Sequence, residues 1–205
     1  MLQKIFPQEN SSLKALSGLA SSVADAAALL SEMVGSTPDA YSGLYNQMLT
    51  QEVKTQDNFF AALTLVRSAF ASPIPREDLY TIALHLNNAV ERLTSAGNIL
   101  SLHRLSRFTP HATTMLDLIQ REATLTASIV PRLEELSGLD QYWIDMLRIT
   151  KQALRTAQAY DAEILDTYKA DRYLKTTKFI QELVSASNAM REVSSDIGRI
   201  IVQES

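Results

Sequence analysis

The sequence predicts an all-α protein, an elongated antiparallel six-helix bundle built as two three-helix halves. Three observations lead there. Apolar residues recur at steps of three and four along most of the 205 residues, which places them on one face of a helix. Prolines and glycines fall between these runs, where proline can open a helix and glycine can close one. No alternating pattern of the kind a half-buried strand needs competes with that periodicity.

Taken in order, Met1 to Asn10 reads as an irregular arm with Ile5 and Phe6 as candidate anchors. Ser11 or Ser12 caps a first helix with the stripe Leu13, Leu16, Ala20, Val23, Ala27, Leu30 and Val34, and Gly35 stops it. Thr37-Pro38-Asp39 supplies a cap, an N1 proline and an early acid for a second helix running to about Phe70. The stretch Phe70-Ala-Ser-Pro-Ile-Pro-Arg-Glu-Asp-Leu-Tyr80 is a helical hairpin corner. Pro73 and Pro75 cannot sit inside a helix, and Glu77 and Asp78 place negative charge beside the free N–H groups of the next one.

The third helix, from about Pro75 to Leu102, carries Leu79, Ile82, Leu86, Val90, Leu93 and Leu100. Thr109-Pro110 repeats the start signal for a fourth helix with Leu116, Ile119, Ala123, Val130 and Leu133, in which Pro131 marks a kink or an early end before Ser137-Gly138. Asp140 is the expected cap of a fifth helix with Trp143, Leu147, Leu154, Ala157, Ile164 and Tyr168 on one side. The sixth shows Phe179, Leu183, Ala186, Met190, Val193, Ile197 and Ile200, with Asp171 as its cap. Several helices exceed 25 residues, so the body should be roughly 40 to 50 Å long.

Polar residues interrupt these stripes. Glu52 and Gln56 lie on the same stripe as Phe59, Leu63, Val66 and Phe70, and Asp161 lies between Ala157 and Ile164. Asn87 and Glu91 sit four apart on the third helix, Asn188 and Glu192 four apart on the sixth, and the two pairs are 101 residues apart. That spacing points to an internal duplication within a single domain of residues 1–205, with pseudo-repeats of about 11–104 and 105–205 joined near Leu105. A carboxylate or amide turned inward must be hydrogen-bonded, paired, solvated or metal-bound. Two readings stand side by side: a carboxylate-rich metal site in each half, or polar residues on the wet rim of a stripe that drifts because 3.6 does not match 3.5.

Composition narrows the function classes. Nineteen basic and twenty-three acidic residues give a net charge of -4 with no basic block, which argues against nucleic acid as a partner and against a polybasic membrane surface. With no cysteine there is no disulfide framework or thiolate chemistry. No uninterrupted apolar segment approaches a bilayer span and no signal-peptide core is present, so a cytoplasmic protein without direct membrane insertion is expected. His85, His103 and His111 are not preceded by Glu at di-iron spacing, and no phosphate-cradling glycine loop or Ser, His and Asp set can be assembled. Trp143 and the Phe59-Phe60 pair read as packing residues.

The corner Phe70-Ala-Ser-Pro-Ile-Pro-Arg-Glu-Asp-Leu resembles the Phe-x-Thr-Pro-x-Asp-Arg-Glu-Asp-Ile type corner between the second and third helices of PhoU-like proteins, in particular the accessory proteins of Pit-type inorganic phosphate transporters. Lys4-Ile-Phe-Pro7 is similar to the start of that family. The resemblance implies two three-helix bundles side by side, and multinuclear iron or zinc clusters held by Glu-x-x-x-Asp motifs on the second helix of each half and Asp-rich motifs on the third. Carried over, Glu52 matches, Gln56 stands for an Asp, and Asn87, Asn88 and Glu91 stand for three acids; Ala157 replaces a Glu, Asp161 matches, and Asn188 and Glu192 stand for two acids. Neutral amides cannot balance the charge of such a cluster, so the expectation is no resident cofactor, with iron or zinc at most at low occupancy. The functional expectation is a non-enzymatic regulator docked on a Pit-type phosphate transporter, peripheral to the inner membrane through that transporter, with Ile5 and Phe6 as contacts and room for a homo-oligomer. The alternative is an iron- or zinc-binding helical bundle acting independently of transport.

Overall fold

The computed structural model describes residues 11–68, 74–135 and 138–203. It contains α1 (Ser11–Gly35), α2 (Tyr41–Ser68), α3 (Arg76–His103), α4 (Pro110–Ile129), a 3-10 turn (Val130–Arg132), α5 (Leu139–Thr167) and α6 (Ala170–Gln203), and no strand among the described residues. The arm with Ile5 and Phe6, the segment Phe70 to Pro73 and Ser137 lie outside them. At 1.5 Å per residue the longest helix, α6, spans about 50 Å.

Helices α1, α2 and α3 pack on one another, as do α4, α5 and α6. The two halves meet where α3 lies on α6, the most extensive contact in the molecule, and where α1 lies on α4. Pairing of Arg199 with Asp78 and of Arg92 with Glu182 fixes α3 and α6 as antiparallel. Helices α2 and α5 are the outer members, each touching two neighbours. One apolar cluster runs through all six helices, and Leu118, Ile149 and Ala153 form a satellite between α4 and α5.

Every stripe residue expected on α1, α3, α6 and the α4 segment is buried. Pro75 stands at the N-cap of α3, its carbonyl accepting the N–H groups of Asp78 and Leu79, with Glu77 and Asp78 in the first turn. Pro110 opens α4 as expected, and at Pro131 the α-helix gives way to the 3-10 turn because proline has no N–H to continue the ladder.

Four local expectations need correction. Thr37 to Ala40 form a turn closed by Ala40 N–H on the Thr37 carbonyl at 3.0 Å, so α2 begins at Tyr41 instead of at Pro38. Gly138, in the left-handed region at φ 82°, holds the N-cap of α5, so Asp140 lies in the first turn and is not the cap; a side chain there would be strained. Asp171 likewise lies in the first turn of α6, where it pairs with Lys175 at 2.7 Å. The inward face of α5 is Tyr142, Met146, Ile149, Ala153, Ala157, Tyr160 and Ile164, so of the expected stripe Ala157 and Ile164 are buried, Leu154 and Tyr168 half-buried, and Trp143 and Leu147 exposed.

By length and composition α1 alone among the described helices could cross a bilayer, although Lys14, Asp25 and Glu32 interrupt its apolar residues. In the fold it is a core helix, with twelve of its 25 residues buried, packed on α2, α3 and α4.

Two arginines of α6 fasten the ends of the α3–α6 seam. At one end Arg199 Nε donates to Asp78 Oδ1 at 2.7 Å, and its terminal nitrogen reaches Asp196 at 3.0 Å and Thr81 at 3.3 Å. At the other, Arg172 donates to the carbonyls of Ser106 and Arg107 at 2.6 and 2.8 Å while stacking on the Tyr168 ring at 4.0 Å. The Arg172 bonds hold the crossover between halves, where Arg104 and Arg107 take positive φ and Tyr41 donates to the Leu105 carbonyl at 2.6 Å. Asp78 and Asp196 are buried, so losing Arg199 strands two carboxylates, whereas the Arg104–Asp39 pair is fully in water. Chemical denaturation should show Arg199→Ala costing about 1–3 kcal/mol, discounted because the arginine itself is half exposed, and Arg104→Ala costing about 0–1 kcal/mol. Equal costs would contradict this ranking.

Candidate functional site

In the first half, the structure brings three of the motif residues together. Asn87 is buried on α3 and donates to Glu91 Oε1, one turn on, at 2.7 Å. Glu52 of α2 is half-buried, and its carboxyl is held above the usual range first by burial and then by the negative charge of Glu91 across the α2–α3 interface. Gln56 is exposed and Asn88 half-buried. The inward path on α2 steps from Glu52 to Thr55 and Phe59, not to Gln56, because Thr55 is the fully buried residue of that turn.

The second half places its motif residues apart. Asp161 on α5 is half-buried and accepts hydrogen bonds from Thr177 at 3.1 Å and Tyr173 at 3.5 Å, both on α6. Asn188 lies eleven residues beyond Thr177 on the same helix, about 16 Å along it, and Glu192 a turn further, exposed. Among the described residues no three His, Asp or Glu side chains converge closely enough to hold a metal ion. The donor set of the first half is two carboxylates that already repel and an amide spent on one of them, which does not fit a multinuclear iron or zinc cluster.

A further buried polar constellation lies between α4 and α6. Glu122 on α4 is fully buried and receives the Ser187 hydroxyl of α6 at 2.9 Å, while its other carboxyl oxygen has no hydrogen-bond partner among the described residues. Thr126 bonds back to the Glu122 carbonyl at 2.8 Å and contacts the Tyr142 hydroxyl at 3.0 Å. Burial raises the Glu122 carboxyl to about 8, with the Ser187 hydroxyl pulling the other way; the neighbouring Thr150 hydroxyl is spent on the Met146 carbonyl at 2.8 Å. At neutral pH it is therefore largely a neutral acid linking α4 to α6. Sequence reasoning passed over it, although the steps Ile119, Glu122, Thr126 and Ile129 carry the signal: a lone Glu in the apolar phase of a core helix.

Phe59 is a packing residue, partly buried against the core, whereas Phe60 and Trp143 are exposed on the outside of the bundle. The Phe59 and Phe60 rings lie 5.8 Å apart with Phe60 exposed, and the Trp143 indole covers Gly198 of α6, where an added Cβ would meet the ring at 3.0 Å.

The described residues thus form an all-α bundle of two three-helix halves. It has the PhoU-like fold. A PhoU-like protein from Shewanella oneidensis superposes with a TM-score of 0.67 over 94% of this chain and 99% of its own, at 12% identity. A second protein of that organism, provisionally described as a PhoU-like phosphate regulatory protein, matches with a TM-score of 0.65 over the same shares, also at 12% identity. No family model and no curated protein matches the sequence.

Between the unfolded value near 4.5 and the folded value near 8, the native chain keeps a proton on Glu122 that the unfolded chain has released, so this contribution to stability is full at low pH and lost as pH rises through 8. Urea denaturation from about pH 5 to about pH 9 should therefore show the wild type losing a few kcal/mol relative to Glu122→Gln, which keeps the shape and cannot ionise. Glu52 and Asp196, also raised, are common to both proteins and cancel in the difference. Parallel pH profiles would refute the assignment.

Proposed function

We propose that the protein is a non-enzymatic regulatory partner of an inorganic phosphate transport system, docked at the cytoplasmic face of a Pit-type transporter and holding no resident metal cluster. The observation that carries the reading is the end-to-end correspondence of its fold with PhoU-like proteins, one of them provisionally described as a phosphate regulator. The corner Pro75-Arg-Glu-Asp78 supports it from the sequence side. A non-enzymatic role is supported by the Glu122, Ser187 and Thr150 groups being sealed in the core, out of reach of any substrate. The alternative, a metal-binding bundle acting on its own, asks for converging carboxylates, and Glu52 and Glu91 with an intervening amide offer too little charge.

Two measurements test this. Co-purification with a Pit-type transporter from detergent-solubilised membranes should succeed and weaken when Ile5 and Phe6 are changed to Ser, since apolar anchors of this kind carry binding energy. No association, with phosphate uptake unchanged on deletion, would remove the proposal. Elemental analysis after chelator-free purification should give less than one equivalent of iron or zinc per chain; two or more, lost in Glu52→Ala, would overturn the metal-free reading.

A further inference from the structure

Helix α5 carries a second, mixed stripe that its packing on α4 and α6 leaves largely exposed. Its inner face is consumed by α4 and α6, yet Leu147 is 42% exposed and Leu165 59% exposed, with Trp143 and Ile144 exposed beyond Leu147. Leu147, Lys151, Leu154, Gln158, Asp161 and Leu165 follow one another in steps of four and three, the seam of a coiled coil, along about 27 Å of helix. The middle of this seam lines a groove of about 470 Å³ between α5 and α6, bordered by Leu154, Gln158 and Asp161 on one side and Thr177, Gln181 and Val184 on the other.

The seam is its own complement when reversed. Leu147 and Leu165 lie nine residues either side of Thr156, Lys151 and Asp161 five, Leu154 and Gln158 two. Turned antiparallel about that point, it sets leucine on leucine at both ends, ammonium on carboxylate inside them, and Leu154 on the stem of Gln158 at the centre, each twice by symmetry. Turned parallel, it sets Lys151 on Lys151 and Asp161 on Asp161. Lys151 is exposed and has no carboxylate partner among the described residues, while Asp161, holding two hydroxyls of α6, keeps acceptor capacity for a cation from outside. The outward apolar residues of the other outer helix, Leu49, Val53 and Phe60 of α2, carry no such charge pairing along their stripe.

We infer that two copies of this chain associate through α5, antiparallel and centred at Thr156, with Lys151 of each copy meeting Asp161 of the other. A two-fold interface requires a self-complementary surface, and this seam is one. The inference stands independently of the transporter reading.

Sedimentation velocity on the full chain at micromolar concentration should show a dimer. Leu165→Arg, at an exposed position, should be monomeric with an unchanged thermal melt, and Lys151→Glu should weaken association roughly tenfold or more, because like charges then face each other. The chain has no cysteine, so disulfide trapping gives the direction directly. Leu147→Cys with Leu165→Cys in one chain should yield a covalent dimer on mild oxidation, and either substitution alone should not. A wild type that stays monomeric throughout the range, or single-cysteine variants that trap as well as the double variant, would overturn the proposal, the first outcome leaving the stripe to a different partner.

Discussion

The antiparallel contact between α3 and α6 is the constraint on which the rest of the molecule depends. Each is the third helix of its half, and each must bury one face in its own half and another against its counterpart. Their buried residues therefore wrap broadly: Leu79, Ile82, Leu86 and Val90 on α3 are joined by Ala83, Ala89 and Ala96, while on α6 Ser187 turns to Glu122 of α4 and Gly198 to the Trp143 ring of α5. The arginines at the ends of the contact hold the two helices in register. Arg199 reads Asp78 of the corner, so a motif that begins as a helix start signal becomes a bolt between halves. Arg172 does the same at the crossover through backbone carbonyls.

Polar groups in the core follow from that geometry. A helix pinned on two sides has no wet rim to which a carboxyl can escape, and Glu122, on the α4 side of the same packing, meets this by keeping its proton and accepting from Ser187. Glu52 and Asp161, on the outer helices, take the other course: both are half-buried, at the edge of a stripe, where water and neighbouring side chains share the load. Of the motif positions that resemble metal ligands, Glu52 and Asp161 thus fall at the edges of the outer helices, while Glu122, a fully buried acid, falls where no metal motif points.

The outer helices also explain where sequence reading erred. On α1, α3 and α6 the periodicity is unambiguous because packing on several sides demands apolar residues and leaves polar ones a single outlet. Helices α2 and α5 pack on two neighbours each, and the rest of their circumference is free. On α5 two apolar stripes compete, one through Tyr142, Met146 and Ile149, the other through Trp143 and Leu147, and their spacing is the same. On α2 the path beyond Glu52 runs through either Thr55 or Gln56, and only contact with α1 and α3 selects Thr55.

By itself the sequence determined the helical class, the number of helices, the end of α1 at Gly35, the starts of α3 and α4 and the break at Pro131, because proline and glycine act through local backbone sterics and need no neighbour. It also determined the buried face of every helix held on several sides. Which polar residues would meet was decided only by the tertiary structure. The bond between Asp78 and Arg199, 121 residues apart, and that between Glu122 and Ser187, 65 apart, depend on how four helices are laid against one another. Spacing within one helix carries no information about that, since it fixes the phase of a side chain and not the height at which another helix passes it.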